Sequence, residues 1–255
     1  MATVSTFDAF VDDATALRDG VSIHDATASF GTDRAVGSFV LRDTDVPLVR
    51  GFGGRLAVVV TGGAGQVAGP AGLCRRLGLE LGRLDVALRD PDDPLGAARR
   101  VVAAVEDAVA IGSLDEAAEV HVEIPAGASE HGWLAAADEV AVAGHRLSLP
   151  ATSPSLLTRI DAALDREAPF SLSGVVRALP EGGVPGFLNV LVATQLLFDG
   201  GADPAGALAE TDLDALLDRT SADDLARGRR WVLSFASTDV ASSLADLATI
   251  AGRVA

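Results

Sequence analysis

The chain has no lysine and no tyrosine, and only one cysteine, one methionine and one asparagine among its 255 residues. All 20 basic residues are arginine, the pattern of a genome that avoids AT-rich codons. Without lysine there is no amine to form a Schiff base with a carbonyl substrate or with pyridoxal phosphate, and those reaction classes are excluded. A lone Cys74 closes no intrachain disulfide and builds no thiolate metal cluster, which fits a reducing compartment. Positive charge is scarce as well: 36 acidic residues leave a net charge of −16 and a pI near 4.5. That field repels phosphate backbones and anionic head groups, so neither nucleic acid nor membrane is an expected partner. No run approaches the ~18 uninterrupted apolar residues of a membrane span, and no basic-then-apolar leader opens the chain. The expectation is a cytoplasmic protein.

The sequence does have apolar surface in quantity. Hydrophobic residues make up 49% and charged ones 22%, enough to bury a substantial core. Short β-rich runs occur at 37–41, 56–60, 84–88, 120–124, 140–142, 170–173 and 231–235, with a weaker one at 14–17. Helical periodicity fills the intervals: 97–109 carries an apolar stripe broken by Arg99, Arg100, Glu106 and Asp107, and Ser153-Pro154 opens a helix to 166. Residues 186–198 are apolar almost all round, and Asp203-Pro204 opens a further helix. Eight strand runs alternating with helices, and no Pro-, Gly- or Ser-rich linker, predict one α/β domain over 1–255, a (β/α)8 barrel. An open doubly wound parallel sheet is the alternative, because the first strand is weak.

The segment from Val58 through Thr61-Gly62-Gly63-Ala64-Gly65 runs a strand directly into glycines. It resembles the nucleotide-binding turn of extended short-chain dehydrogenases, in which glycines let the backbone approach a pyrophosphate and an acidic residue on the next strand, here Asp90, binds ribose. The resemblance stops there. About fifty residues precede the loop, Pro70 falls where the helix would begin, and the family's catalytic Tyr and Lys have no counterpart in this chain.

A second resemblance covers more of the chain. Asp12-Asp13-Ala14, the strand around Val36-Gly37-Ser38-Phe39-Val40, Pro185-Gly186-Phe187-Leu188-Asn189 and Ser234-Phe235-Ala236-Ser237 are similar, in order and spacing, to segments of an uncharacterised bacterial family of barrel-like proteins. That family implies the barrel rather than an activity. Its Gly-Leu-His-His run after the seventh strand is replaced here by Gly174-Val175-Val176, which removes any chemistry depending on it.

Barrel enzymes carry their chemistry at the carboxyl ends of strands, so polar residues there are the candidates. His145 and Arg146 are expected to close the sixth strand run, one for proton transfer and the other to clamp a carboxylate or phosphate. Glu123 interrupts an apolar strand and faces either the barrel interior or the helices, with Arg146 the nearest partner in strand order. Arg177, Ser173, Thr61 and Asn189 complete the candidate ligand-binding set, Asn189 alternatively satisfying loop backbone. His24, His121, His131 and His145 are scattered without metal-binding spacing, and Asp90, Asp92 and Asp93 read as a solvated acidic loop, so no metal is expected. Nothing in the sequence names a cofactor.

Three functions are consistent with this set. The first is a barrel acting on a small anionic metabolite, with Arg146 and Arg177 as clamp and Glu123 or His145 as acid and base. The second is a non-catalytic binding or assembly barrel that has lost ancestral site residues. The third is a nucleotide-binding protein using the loop at 61–65. The apolar helix at 186–198 requires cover, expected from the helix at 203–219 first and from a homodimer second, with Ala193, Thr194 and Gln195 least buried.

Overall fold

The computed structural model describes residues 6–254. Eight parallel strands close a barrel in sequence order: β1 Val11–Asp13, β2 Val36–Arg42, β3 Arg55–Val60, β4 Glu80–Ala87, β5 Glu119–Glu123, β6 Arg146–Pro150, β7 Phe170–Ser173 and β8 Val232–Ser237. The helices are α1 Ile23–Ser29, α2 Ala68–Leu77, α3 Pro94–Ala110, α4 Glu130–Val142 and α5 Leu156–Asp165, followed by α6 Phe187–Asp199, α7 Pro204–Ala209, α8 Leu213–Leu217, α9 Ala222–Gly228 and α10 Val240–Val254. This is the (β/α)8 architecture. Closure sets aside the open sheet and leaves no strand edge unpaired.

Two strands lie elsewhere than the sequence pattern suggested. Residues 140–142 are the last turn of α4, where Val142 is 90% exposed. Gly144, at φ 74°, supplies the left-handed conformation that ends the helix, and β6 begins after it. Residues 15–17 form a single 3-10 turn, and β1 is the preceding Val11–Asp13, whose two aspartates hid it from a hydrophobicity reading.

Packing divides the chain into two compact units. One holds Ala14–Gly31 and Ser38–Ser148; the other holds the chain up to Asp13, Thr32–Gly37 and Leu149 onward. In the first, Phe39 of β2 meets Phe30 and Phe52 at 5.7 and 5.2 Å between ring centroids, fixing α1 on the strand. Phe39 shares its register row with Leu56, and Leu41 with Val58. This row continues through Leu84, Val120, Val86, Val122 and Leu147, all buried and apolar, and it faces the helices. The alternate positions face the barrel interior, since strand side chains alternate. Asp93 caps α3 by accepting from Gly96 N at 2.9 Å, ahead of Pro94 at the first helical position, an arrangement worth about 1 kcal/mol. Pro70 also sits in a first turn, that of α2, where a missing N–H costs nothing, so the helix after the glycine loop is intact.

In the other unit, Phe235 of β8 stacks on Phe187 of α6 at 4.5 Å and meets Phe10 edge-on at 5.1 Å. Arg229 lies 4.3 Å over the Phe10 ring and donates to the carbonyls of Thr6, Asp8, Val232 and Leu233, so one guanidinium ties the entry of β1 to that of β8. Burial lowers this guanidinium to about 10, against the pull of Asp12. Helix α6 is covered within the chain by α7, α9, α5 and β8. The segment at 203–219 is two helices rather than one, because Asp212 caps α8 while Glu210 accepts the intervening N–H groups of Thr211 and Asp212. Ala193, Thr194 and Gln195 are buried, contrary to expectation; the exposed part of α6 is its carboxyl end, with Phe198 at 44% against Trp231.

Candidate functional site

The inward row of β3–β6 is polar along most of its length. Its lower layer pairs Ala57 with Arg83 and Arg83 with Glu119; the middle layer runs Val59, Asp85, His121, Arg146; the upper layer runs Ala87, Glu123, Ser148, with Thr61 beside Ala87 at the end of β3. Arg83 Nε lies 3.0 and 3.1 Å from the two carboxylate oxygens of Asp85. Glu119 Oε2 lies 3.7 Å from Nε2 of the buried His121. The His121 interaction outweighs burial and, with the charges of His121, Arg55 and Arg146, holds the Glu119 carboxyl below its usual range. Glu123, at the carboxyl end of β5, is the opposite case. Burial, reinforced by the Asp85 carboxylate, pushes its carboxyl above the usual range.

Thr61 is already occupied. Its N–H donates to Asp43 Oδ2 at 2.9 Å and its hydroxyl to Oδ1 at 2.6 Å, so the donors expected for a ligand are held by a carboxylate of the same unit. The Gln66 side chain lies over Gly62, where a Cβ would come within 1.8 Å of it, which explains this glycine by packing rather than by phosphate. Beyond it, Gly62–Gly65, Arg89, Asp90 and Arg100 line a concavity of about 260 Å³. Arg89 runs alongside Gly63, whose φ of 71° requires a glycine. Arg100 stands 4.0 Å from Asp90 and 3.7 Å from Asp93. The acidic loop spends its carboxylates on its own backbone, Asp90 Oδ1 accepting from Asp92 N and Asp93 N at 3.1 Å.

His145 and Arg146 do not close a strand. Arg146 is the first residue of β6 and His145 precedes it, which puts both at the amino end of that strand, away from the face where barrel chemistry resides. The misplacement follows from reading 140–142 as the strand. Burial lowers the His145 imidazole, with Glu106 opposing it and Arg146 adding to it.

In the other unit, Arg177 is bound to Asp246 in a two-pronged pair, Nε to Oδ2 at 2.9 Å and Nη2 to Oδ1 at 3.0 Å, while Ala178 N donates to the same carboxylate. Its fork is taken by α10, which corrects the expected clamp with Arg146. Asn189 is fully buried, and its Nδ2 donates to Ala207 O at 2.8 Å and Glu210 O at 2.7 Å, so it fastens α6 to the end of α7 rather than reaching a ligand. Ser173 ends β7 and stays half-exposed, on the inward side with Ser171. Asp12 of β1 is buried inward and accepts from Ser234 Oγ at 2.5 Å.

The sequence reading missed Arg83, Asp85, His121, Asp43 and Asp12. Alternation would have exposed three of them: Arg83, Asp85 and His121 each break an apolar strand every second residue, as Glu123 does. The chain matches no known protein family, no characterised protein and no solved structure.

Proposed function

We propose that this barrel binds a small phosphorylated or carboxylated metabolite at the carboxyl ends of β3–β5 and transfers a proton on it, Glu123 being the acid or base. The observation that carries this reading is the raised Glu123 carboxyl at the end of β5, one strand from the β4 end that leads to Arg89. A carboxyl held above its usual range keeps its proton to higher pH than a free one, which favours a role in proton transfer. Arg89 forms no ion pair among the described residues that would neutralise it, and it lies against the glycine loop; an anion accepted there rests roughly 10 Å from Glu123, two strand spacings away. The concavity of about 260 Å³ is lined without Glu123, so it suits the anionic end of a small metabolite that reaches on toward β5 and is too small for a dinucleotide, and the Asp43 carboxylate on Thr61 opposes a phosphate at the loop's first N–H.

The test is calorimetric titration with inorganic phosphate, followed by a turnover screen of phosphorylated and carboxylated metabolites. Phosphate is expected to bind in the millimolar range, Arg89→Ala to weaken it about tenfold, and Glu123→Gln to leave binding intact while reducing turnover by roughly 10²–10⁴. Unchanged phosphate affinity in Arg89→Ala, or undiminished turnover in Glu123→Gln, rejects the reading; binding without turnover of any substrate selects the non-catalytic barrel. Stability gives a second readout. The folded Glu123 carboxyl titrates above its unfolded value, so its ionisation destabilises the fold increasingly as pH rises through both values and not at all below them. Glu123→Gln therefore melts higher than the parent at neutral pH and at the same temperature in acid below the carboxylate range.

A further inference from the structure

Beside the strand ends that lead to Arg89 and Glu123, in the same compact unit, β2 ends in a charge the proposed site does not use. Arg42 is its last residue and stands in register with Val59, in the row that continues to Asp85 and His121. Phe39 of the same strand turns outward to Phe30 and Phe52. Alternation therefore sets Arg42 on the inward side, at the carboxyl-end face where barrel chemistry resides.

Its side chain is exposed and donates to one carbonyl, Nη2 to Leu17 O at 3.3 Å, with no ion pair among the described residues. Acidic partners are not scarce, since carboxylates outnumber arginines 36 to 20 and Asp43 is the next residue. Asp43 is committed elsewhere. Its Oδ2 accepts from Thr61 N, and its Oδ1 accepts from the Thr61 hydroxyl and from Thr44 N. The pairing that closes Thr61 to a ligand thus keeps the adjacent carboxylate off Arg42, and most of the guanidinium fork stays open to an anion from outside.

In strand order the rim reads Arg42, Thr61, Arg89, Glu123, with roughly 10 Å between the backbones of the two arginines, two strand spacings apart. Arg89 lies along Gly63 and Arg42 reaches Leu17, so the Asp43–Thr61 pair stands between the two cations. A single phosphate shared by both would meet the Asp43 carboxylate; two anionic groups joined by a short carbon chain meet one guanidinium each. We infer that Arg42 is a specificity-determining residue of the proposed site, whose ligand is a short-chain compound with two anionic ends, a phosphate held at Arg89 and a carboxylate at Arg42. This rests on Arg89 as the anchor of the first anion and narrows the ligand class from any small anion to a doubly anionic one.

Calorimetric titration of the full chain with 3-phosphonopropionate, 4-phosphonobutyrate and 5-phosphonopentanoate, each against the alkylphosphonate of the same length, tests this. At a net charge of −16 the field of the molecule opposes an added negative charge, so a gain from the carboxylate reports a local cation. At least one of the three acids should bind about tenfold tighter than its alkyl counterpart, the effect of one charge-assisted pair. Arg42→Gln should bring that ratio near one, Arg42→Lys should retain part of it, and Arg89→Ala should weaken acids and alkylphosphonates alike. Arg42 is exposed, so neither of its variants removes buried packing, and circular dichroism verifies the fold. A ratio of one or less for all three acids, or a ratio unaltered in Arg42→Gln, overturns the assignment and leaves anion binding at Arg89 standing. Absence of binding by acids and alkylphosphonates alike overturns both this assignment and the reading on which it rests.

Discussion

Asn189 is the only asparagine in the chain, and its place in the fold is a matter of two carbonyls. Helix α7 is short, and Ala207 O and Glu210 O at its end have no further turn to receive; the Asn189 amide supplies both hydrogen bonds from inside α6. Asn189→Ala strands the buried Ala207 carbonyl and the part-buried Glu210 carbonyl and opens a small void, and should cost about 2–4 kcal/mol. Urea denaturation would register this as a lower midpoint with an unchanged slope; a loss below about 0.5 kcal/mol would show that water replaces the amide. Thr61 and Arg177 behave alike. Each has the chemistry of a ligand-binding residue, and each is satisfied by an aspartate that sequence adjacency does not reveal, Asp43 for Thr61 and Asp246 for Arg177.

Among the elements, α6 shows how far a pattern carries. Its uniform apolarity announces burial on most sides, and α5, α7, α9 and β8 cover it within the chain. Which residues remain accessible depends on where α7 and α9 lie, and they leave open the last turn rather than the Ala193–Gln195 arc. Hydrogen exchange should find the amides of Val190 to Gln195 among the slowest in the protein and those from Phe198 onward several orders of magnitude faster. Fast exchange throughout a monomer would show that α6 is not core. For β1 and β6 the pattern was weaker than the turn chemistry. Gly144 marks the end of α4 more reliably than the Val140-Ala141-Val142 triplet marks a strand, and its left-handed φ was legible in principle from the Ala-Gly dipeptide closing a helical run.

Across the whole molecule, the eight strands close one sheet, and removing any of them would leave unpaired backbone at its neighbours. Cooperative unfolding is the expected consequence. Each unit contains one tryptophan, Trp133 in α4 and Trp231 before β8, and Cys74 is buried in α2 with its thiol pushed up to about 11 by desolvation. Single-tryptophan variants Trp231→Phe and Trp133→Phe, read by fluorescence against urea, should show one shared midpoint, and Cys74 labelling should rise with it. Two separated midpoints would establish that the units unfold independently.

The sequence by itself determined the alternation of strands and helices, the apolar rows beneath the helices, and the exclusion of lysine and disulfide chemistry, because these rest on composition and on periods of two and 3.6 residues that survive without any knowledge of neighbours. It also drew attention to Glu123, a carboxylate between the apolar Val122 and Ile124. Only the tertiary structure decided that His145 and Arg146 stand at the amino end of their strand, that Arg177 and Thr61 are already bound, and that Arg83, Asp85 and His121 share the inward row with Glu123. The physical reason is range. A strand's end is set by where one helix stops, and a polar group's partner lies across a loop or a helix, 18 residues away for Thr61 and 69 for Arg177; neither distance leaves a trace in local periodicity.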